Sequence, residues 1–316
     1  MWKRIRTISA IVVALCLVLG LNVLPVNADS NQNPPATVAP ALPSPPSNFN
    51  PLTATNAELQ QYGFPSRPVD PAALAQWENV MSHCKYYGKP EQTPSDTTSF
   101  GLQKPINYSY NWAGFATTSL DNNGATFTEA SGYWTQPNYL DTFYGDPILW
   151  TGIGGYQQGN PIVQAGTDCN GTFWHAPVQN ICWVEDFPYR RLWESYPVIT
   201  PGDNIFVNVT YGGTVSTAFF ADLSNGQYTS VPFWTPDYDN TSAEYIWEDV
   251  DGMDAPNTSG TFRGCATLGP NGNLPLYYAN YREFIVTSDG TSTGVPWAWP
   301  TSIPNSDSGF TIDTNP

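Results

Sequence analysis

Ser242-Ala243-Glu244-Tyr245-Ile246-Trp247-Glu248-Asp249 alternates with a period of two, placing Glu244, Ile246 and Glu248 on one side and Tyr245 and Trp247 on the other. That spacing is a β-strand's. Short β-branched or aromatic runs of the same kind fill the rest of the chain from about Pro105: Tyr133 to Thr135, Ile148 to Thr151, Ile162 to Thr167, Phe173 to Trp174, Ile205 to Thr210, Thr217 to Leu223, Gln227 to Phe233 and Glu283 to Thr287. Turn pairs punctuate them at Asn123-Gly124, Asn170-Gly171, Asn225-Gly226, Asp251-Gly252, Asn271-Gly272 and Asp289-Gly290. Residues 105–316 therefore read as one all-β domain, an antiparallel β-sandwich of two large, concanavalin-like packed sheets with no sizeable helix.

Upstream the composition changes three times. Residues 1–28 have the form of a signal peptide: Lys3, Arg4 and Arg6, an apolar run from Ile8 to about Pro25, then Val26-Asn27-Ala28 with small residues suited to cleavage. Residues 29–51 are rich in Pro, Ala, Ser and Asn and cannot bury a core, so they read as a linker. Within residues 52–104, Asn56-Ala57-Glu58-Leu59 starts one helix, and a second begins with Asp70 as N-cap and Pro71 at the first helical position. Leu74, Trp77 and Met81 share a face of that second helix. This segment is expected to be either a propeptide or a clasp packed on the main domain.

Charge and cysteines agree with export to an extracellular setting. The chain has 11 basic and 27 acidic residues; without Lys3, Arg4 and Arg6 the balance is 8 − 27 = −19. Such a surface repels nucleic acid and anionic membranes, and it suits either solubility or work in acid. Beyond Cys16, four cysteines remain, an even set as in oxidising compartments. Three pairings are open. The short loop holding Asn170-Gly171 favours Cys169 with Cys182, which leaves Cys84 for Cys265.

Several common engines are missing. The sequence has no Gly-x-Ser-x-Gly elbow, no His-Glu-x-x-His and no Gly-x-x-x-x-Gly-Lys. His83 lies in the helical segment, and His175, between Trp174 and Ala176, reads as structural. With no Cys-x-x-Cys pair, no metal site is expected, and no cofactor. Asp307-Ser308-Gly309 lacks the second such loop that a two-lobed aspartic peptidase needs.

Six blocks in order carry a resemblance: Asn111-Trp112-Ala113-Gly114, Gly132-Tyr133-Trp134-Thr135-Gln136-Pro137, Trp150-Thr151-Gly152-Ile153-Gly154-Gly155, Ile162-Val163-Gln164-Ala165-Gly166-Thr167-Asp168, Leu192-Trp193-Glu194-Ser195-Tyr196-Pro197 and Ser242 to Glu248. Together they resemble the glutamic peptidases, or eqolisins. The resemblance implies an acid-active endopeptidase whose catalytic pair is Gln164 and Glu244, on neighbouring strands of a concave sheet. It implies Trp150, Asp168, Glu194 and Tyr196 as cleft residues. It also departs at Gly154, where the family commonly has Asp, so one carboxylate is missing near the pair. The chemistry suits the residue types: a carboxylate can take a proton from water and return it to the amine, and an amide N–H can stabilise the oxyanion.

Proteins or peptides are then the expected substrates of a secreted monomer, with no nucleic acid or membrane partner. Two other classes compete. A β-sandwich glycoside hydrolase or carbohydrate-binding protein would use the 12 Trp, 18 Tyr and 15 Phe for stacking, with Glu244 and Glu248 as paired carboxyls. An inactive binding domain is the third.

Overall fold

A computed structural model describes residues 39–89, 92–94, 108–137, 147–156, 161–170, 179–187, 190–235, 240–249, 260–269, 272–287, 292, 296–301 and 308–314. The expected signal peptide, the start of the linker, the Phe173–Trp174 run, His175 and Asp307 fall outside them. In chain order the elements are α1 (Asn56–Gln61), α2 (Pro71–His83), β1 (Tyr86–Tyr87), β2 (Gln92–Pro94), β3 (Tyr108–Ser109), β4 (Trp112–Thr118), β5 (Glu129–Thr135), β6 (Pro147–Gly154), β7 (Ile162–Asn170), β8 (Gln179–Phe187), β9 (Arg190–Ile199), β10 (Asn204–Thr210), β11 (Val215–Asp222), β12 (Gln227–Trp234), β13 (Ser242–Asp249), β14 (Gly260–Gly269), β15 (Gly272–Pro275), a 3-10 turn (Leu276–Tyr278), β16 (Tyr281–Thr287), β17 (Pro296–Pro300) and β18 (Phe310–Thr314).

The strands form two packed sheets. In the first, β12, β11, β10, β5 and β14 are antiparallel neighbours in that order. In the second the order is β9, β8, β7, β6, β13, β4, β16, again antiparallel, with β2 on the outer edge of β9. Pairings of β16 with β17, β17 with β18 and β18 with β14 link the two sheets.

Alternation along each strand decides what lies between the sheets. Ile205, Val207 and Val209 of β10 and Ala243, Tyr245 and Trp247 of β13 enter one shared core with Phe220, Val231, Val163 and Val184. A large apolar side chain buried this way contributes about 1.5–3 kcal/mol relative to exposure. The alternate residues of the first sheet, Phe206, Phe219 and Tyr228, face outward and are covered by Leu59, Phe64, Trp77, Val80 and Met81 of the N-terminal segment. The alternate residues of the second sheet face the other way and form a cluster of their own, which among the described residues contains none of that helical segment. The molecule is thus layered as helices, first sheet, core, second sheet and an outer face.

Local chemistry explains the helical layer. Thr55 and Glu58 close a capping box on α1, and the Asp70 carboxylate accepts from the backbone N–H groups of Ala72 and Ala73 to start α2. Arg67 donates to the carbonyls of Pro51, Leu52 and Ala54 and lies 5.1 Å from the centre of the Trp77 ring. The Trp77 indole N–H donates to the Pro65 carbonyl at 3.1 Å.

The expected disulfides are not formed, because Cys84, Cys182 and Cys265 are free. Cys182 pairs in register with Thr167 rather than Cys169, and its side chain is packed in the core. Cys265 is also in the core, whereas Cys84 follows α2 near Gly226 on the first sheet's outer side. Among the described residues no helix is long and apolar enough to cross a membrane.

Candidate active site

Strand register across the second sheet puts seven residues in one row: Arg282 (β16), Ala116 (β4), Glu244 (β13), Gly152 (β6), Gln164 (β7), Glu185 (β8) and Arg191 (β9). The next row, two residues along each strand, holds Phe284, Gly114, Ile246, Trp150, Gly166 and Trp183. A third holds Trp112, Glu248, Ile148, Asp168 and Ile181. All lie on the face opposite the core, since strand side chains alternate. Trp112, Ala116, Ile148, Trp150, Trp183, Ile246 and Phe284 form a separate apolar cluster there.

Polar groups embedded in that cluster are closely constrained. Gln164 and Glu244 are 4% and 0% exposed and flank Gly152. Their Cα atoms are therefore about two strand spacings, or ~10 Å, apart. A Cβ on Gly152 would sit 3.1 Å from the Gln164 Cβ and 3.0 Å from the Val163 carbonyl oxygen, so glycine keeps the space between the two side chains open. The Gln164 amide nitrogen donates to Glu185 Oε2 at 2.6 Å. The same oxygen accepts from Arg191 at 3.2 Å in a buried ion pair, and the guanidinium carbon lies 4.6 Å from the centre of the Trp183 ring. Glu185 Oε2 accepts from both donors, so the amide nitrogen of Gln164 is the end that faces Glu185. One N–H of that nitrogen remains for another acceptor.

Glu248 is held differently. Its Oε1 accepts from Asn111 Nδ2 at 2.7 Å and its Oε2 from the Trp150 indole N–H at 2.8 Å. Burial pushes its carboxyl up to about 7, with Arg191 opposing the shift and Glu185 adding to it. Those two residues lie on β8 and β9, several strands from β13. All three project from the same face of the second sheet.

Gln164, Glu244, Trp150 and Asp168 thus share the face. Glu194 and Tyr196 do not. Glu194 pairs in register with core-facing Cys182, so its side chain is on the opposite side of the sheet, and the Tyr196 hydroxyl donates to the Tyr86 carbonyl at 2.9 Å beside the N-terminal segment. The acid on this face missing from the sequence reading is Glu185. A signal for it existed: Glu185-Asp186-Phe187-Pro188 and Glu194-Ser195-Tyr196-Pro197 are both Glu-x-aromatic-Pro, and only the first lies beside Gln164. Gly154 ends β6 with φ +84°, a left-handed conformation that favours glycine over the family's aspartate. Among the described residues no group of three or more His, Cys, Asp or Glu is arranged to hold a metal ion.

No curated protein matches the sequence significantly. The crystal structure of scytalido-glutamic peptidase with a transition state analog inhibitor is similar in fold, with a TM-score of 0.52 and 20% identity over 65% of this chain and 98% of that one. A second complex of that peptidase, with a peptide-based transition state analog, gives 0.50 and 20% over the same shares. Aspergilloglutamic peptidase from Aspergillus niger gives 0.44 and 22%, covering 54% of this chain and 99% of its own. Residues 110–295, more than half of the chain, match the model of the Peptidase A4 family. The protein belongs to that family and is a glutamic endopeptidase.

Proposed function

We propose that the protein is a secreted, acid-active endopeptidase in which Glu244 is general base and acid and Gln164 stabilises the oxyanion. The observation that carries this reading is the row Glu244, Gly152, Gln164: two reactive side chains on one face, with a glycine of β6 between them. The Glu244 carboxylate takes a proton from water as the water oxygen bonds to the scissile carbonyl carbon. The N–H of Gln164 that is not given to Glu185 donates to the oxyanion; losing one such donor costs about 10²–10³ in rate at comparable sites. Glu244 then passes its proton to the departing nitrogen, the C–N bond breaks, and acid and amine leave.

Acid operation is supported by the buried carboxyls. Burial pushes Glu129 and Glu248 up to about 7 and Asp222 to about 6, so the fold favours their protonated forms. Export is supported by residues 1–28, and N-terminal sequencing of protein collected outside the cell should begin at Asp29. A start at Met1 would contradict it. The activity test is hydrolysis of an unfolded protein in acid, insensitive to pepstatin and to chelators. Purified protein with no such hydrolysis, before and after acid incubation, would refute the reading.

The sugar-hydrolase alternative loses its geometry. Glu244 and Glu248 are four residues apart on one strand, roughly 13 Å by strand rise, against the about 5–5.5 Å that retaining enzymes use. Both Glu248 oxygens are moreover engaged by Asn111 and Trp150.

A further inference from the structure

Arg191 is a buried cation in a strongly acidic chain. It donates to Glu185 Oε2, the same atom that receives the Gln164 amide. Arg191 and Glu185 side chains are 5% and 2% exposed, so the contact is shielded from solvent. Burying one such charge without the other is costly, because water no longer compensates it. The planar guanidinium also rests on the Trp183 ring, which limits its motion. A chain of three groups results, in one row of the sheet: cation, carboxylate, amide.

We propose that Arg191 is a positioning residue of the catalytic apparatus, acting through Glu185 to hold the Gln164 amide with its nitrogen fixed and one N–H directed to the oxyanion. The inference rests on Gln164 being the oxyanion donor. With the cation removed, Glu185 stands as an uncompensated buried carboxylate beside a neutral amide. It then gains by drawing in water, which loosens the amide. Gln164 can turn its oxygen toward Glu185, leaving no N–H on the required side. The substrate's ground state loses little, whereas the transition state loses its stabilising donor, so the effect belongs in kcat rather than KM.

The test is steady-state kinetics of Arg191→Met, Arg191→Lys, Gln164→Ala and the double variant Arg191→Met/Gln164→Ala, each with its thermal midpoint. Arg191→Met should lower kcat by about 10- to 100-fold, less than complete loss of an oxyanion donor, with KM within about threefold. Arg191→Lys, which keeps the charge without the planar fork, should recover at least half of that loss on a logarithmic scale. In the Gln164→Ala background the Arg191→Met change should cost less than about twofold, because the residue it acts through is gone. Wild-type kcat in Arg191→Met, or an equal loss in both backgrounds, overturns the proposal and leaves the Gln164 reading intact. Full activity in Gln164→Ala instead overturns that reading and this one with it. Should Arg191→Met not fold, Arg191→Lys in the two backgrounds decides: a kcat loss confined to the Gln164 background supports the proposal, and an equal loss or none overturns it.

Discussion

Replacing Gly152 by alanine puts a methyl group between Glu244 and Gln164, and the structure sets the size of the consequence. The new Cβ would lie 3.0 Å from the Val163 carbonyl oxygen, 3.0 Å from Ile162 Cδ1 and 3.1 Å from Gln164 Cβ. Carbon contacts are most favourable at about 3.5–4.0 Å. Ile162 can rotate its terminal methyl away, but Val163 and Gln164 contacts are fixed by β7, so β6 and β7 must separate by a few tenths of an ångström. Overpacking of this kind costs about 1–3 kcal/mol. The thermal midpoint should fall by roughly 2–4 °C for each kcal/mol. The catalytic loss should be larger, because Gln164 is moved and the space for water and carbonyl is narrowed: kcat/KM down by about 10²-fold, the order expected for one misplaced oxyanion donor. The assay is kcat/KM on a quenched fluorescent peptide in acid, corrected for folded fraction by circular dichroism. Gly124→Ala is the control. Nothing lies within 4 Å of its new methyl, but φ is +77°, so it should cost about 1–2 kcal/mol of stability and leave kcat/KM unchanged. Wild-type kcat/KM in Gly152→Ala, or the same loss in both variants, would refute the argument that this glycine keeps a reaction site open.

Three further outcomes follow from the buried groups. Glu129 and Glu248 both have folded values near 7 against 4.5 for the free side chain, raised by burial, so the stability they supply is fully present below about pH 4.5 and is lost as pH rises through 7. Each contributes up to roughly 3 kcal/mol; the thermal midpoint should fall between pH 5 and pH 8 (about the range of those titrations), and a midpoint that rises over it contradicts the assignment. Trp77→Ala removes a ring from the helical layer together with its N–H donation to Pro65, which should destabilise by about 3–5 kcal/mol. Because that layer covers the first sheet and the candidate pair lies on the second, kcat of the folded fraction should stay within about twofold; a larger drop in kcat would tie the segment to catalysis. Alkylation of unfolded protein without reductant should label Cys84, Cys182 and Cys265, and a disulfide-linked peptide containing any of them would contradict the structure.

Much of the architecture is legible in short-range chemistry. The alternation of Glu244, Ile246 and Glu248 against Tyr245 and Trp247 matches β13, with the core on one side and the candidate site's face on the other. Asp70 and Pro71 mark the start of α2 because an N-cap and a first-turn proline act locally. What is lost is what depends on neighbours distant in sequence. β9 begins with Arg190-Arg191 and includes Pro197, and β14 contains Gly264 at φ +57°; pairing with adjacent strands, rather than propensity, makes them strands. β5 starts at Glu129, ahead of the aromatic run, because β10 and β14 flank it on both sides.

The site divides in the same way. Gln164 and Glu244 could be named from ordered blocks, and the register then puts them in one row. Glu185 and Glu194 have the same local pattern, and nothing local separates them. Only the pairing of β7 with β8 does so, by setting Glu185 opposite Gln164. Arg191 carries no motif at all, and its part emerges from one shared oxygen atom.

The most direct measurement is kcat in acid for Glu244→Gln, a substitution that keeps size and removes the proton-accepting carboxylate. Positioned acid–base groups contribute about 10²–10⁴ in rate, so kcat should fall by at least about 10²-fold with the thermal midpoint preserved. A folded Glu244→Gln protein with wild-type kcat would contradict the catalytic role given to Glu244.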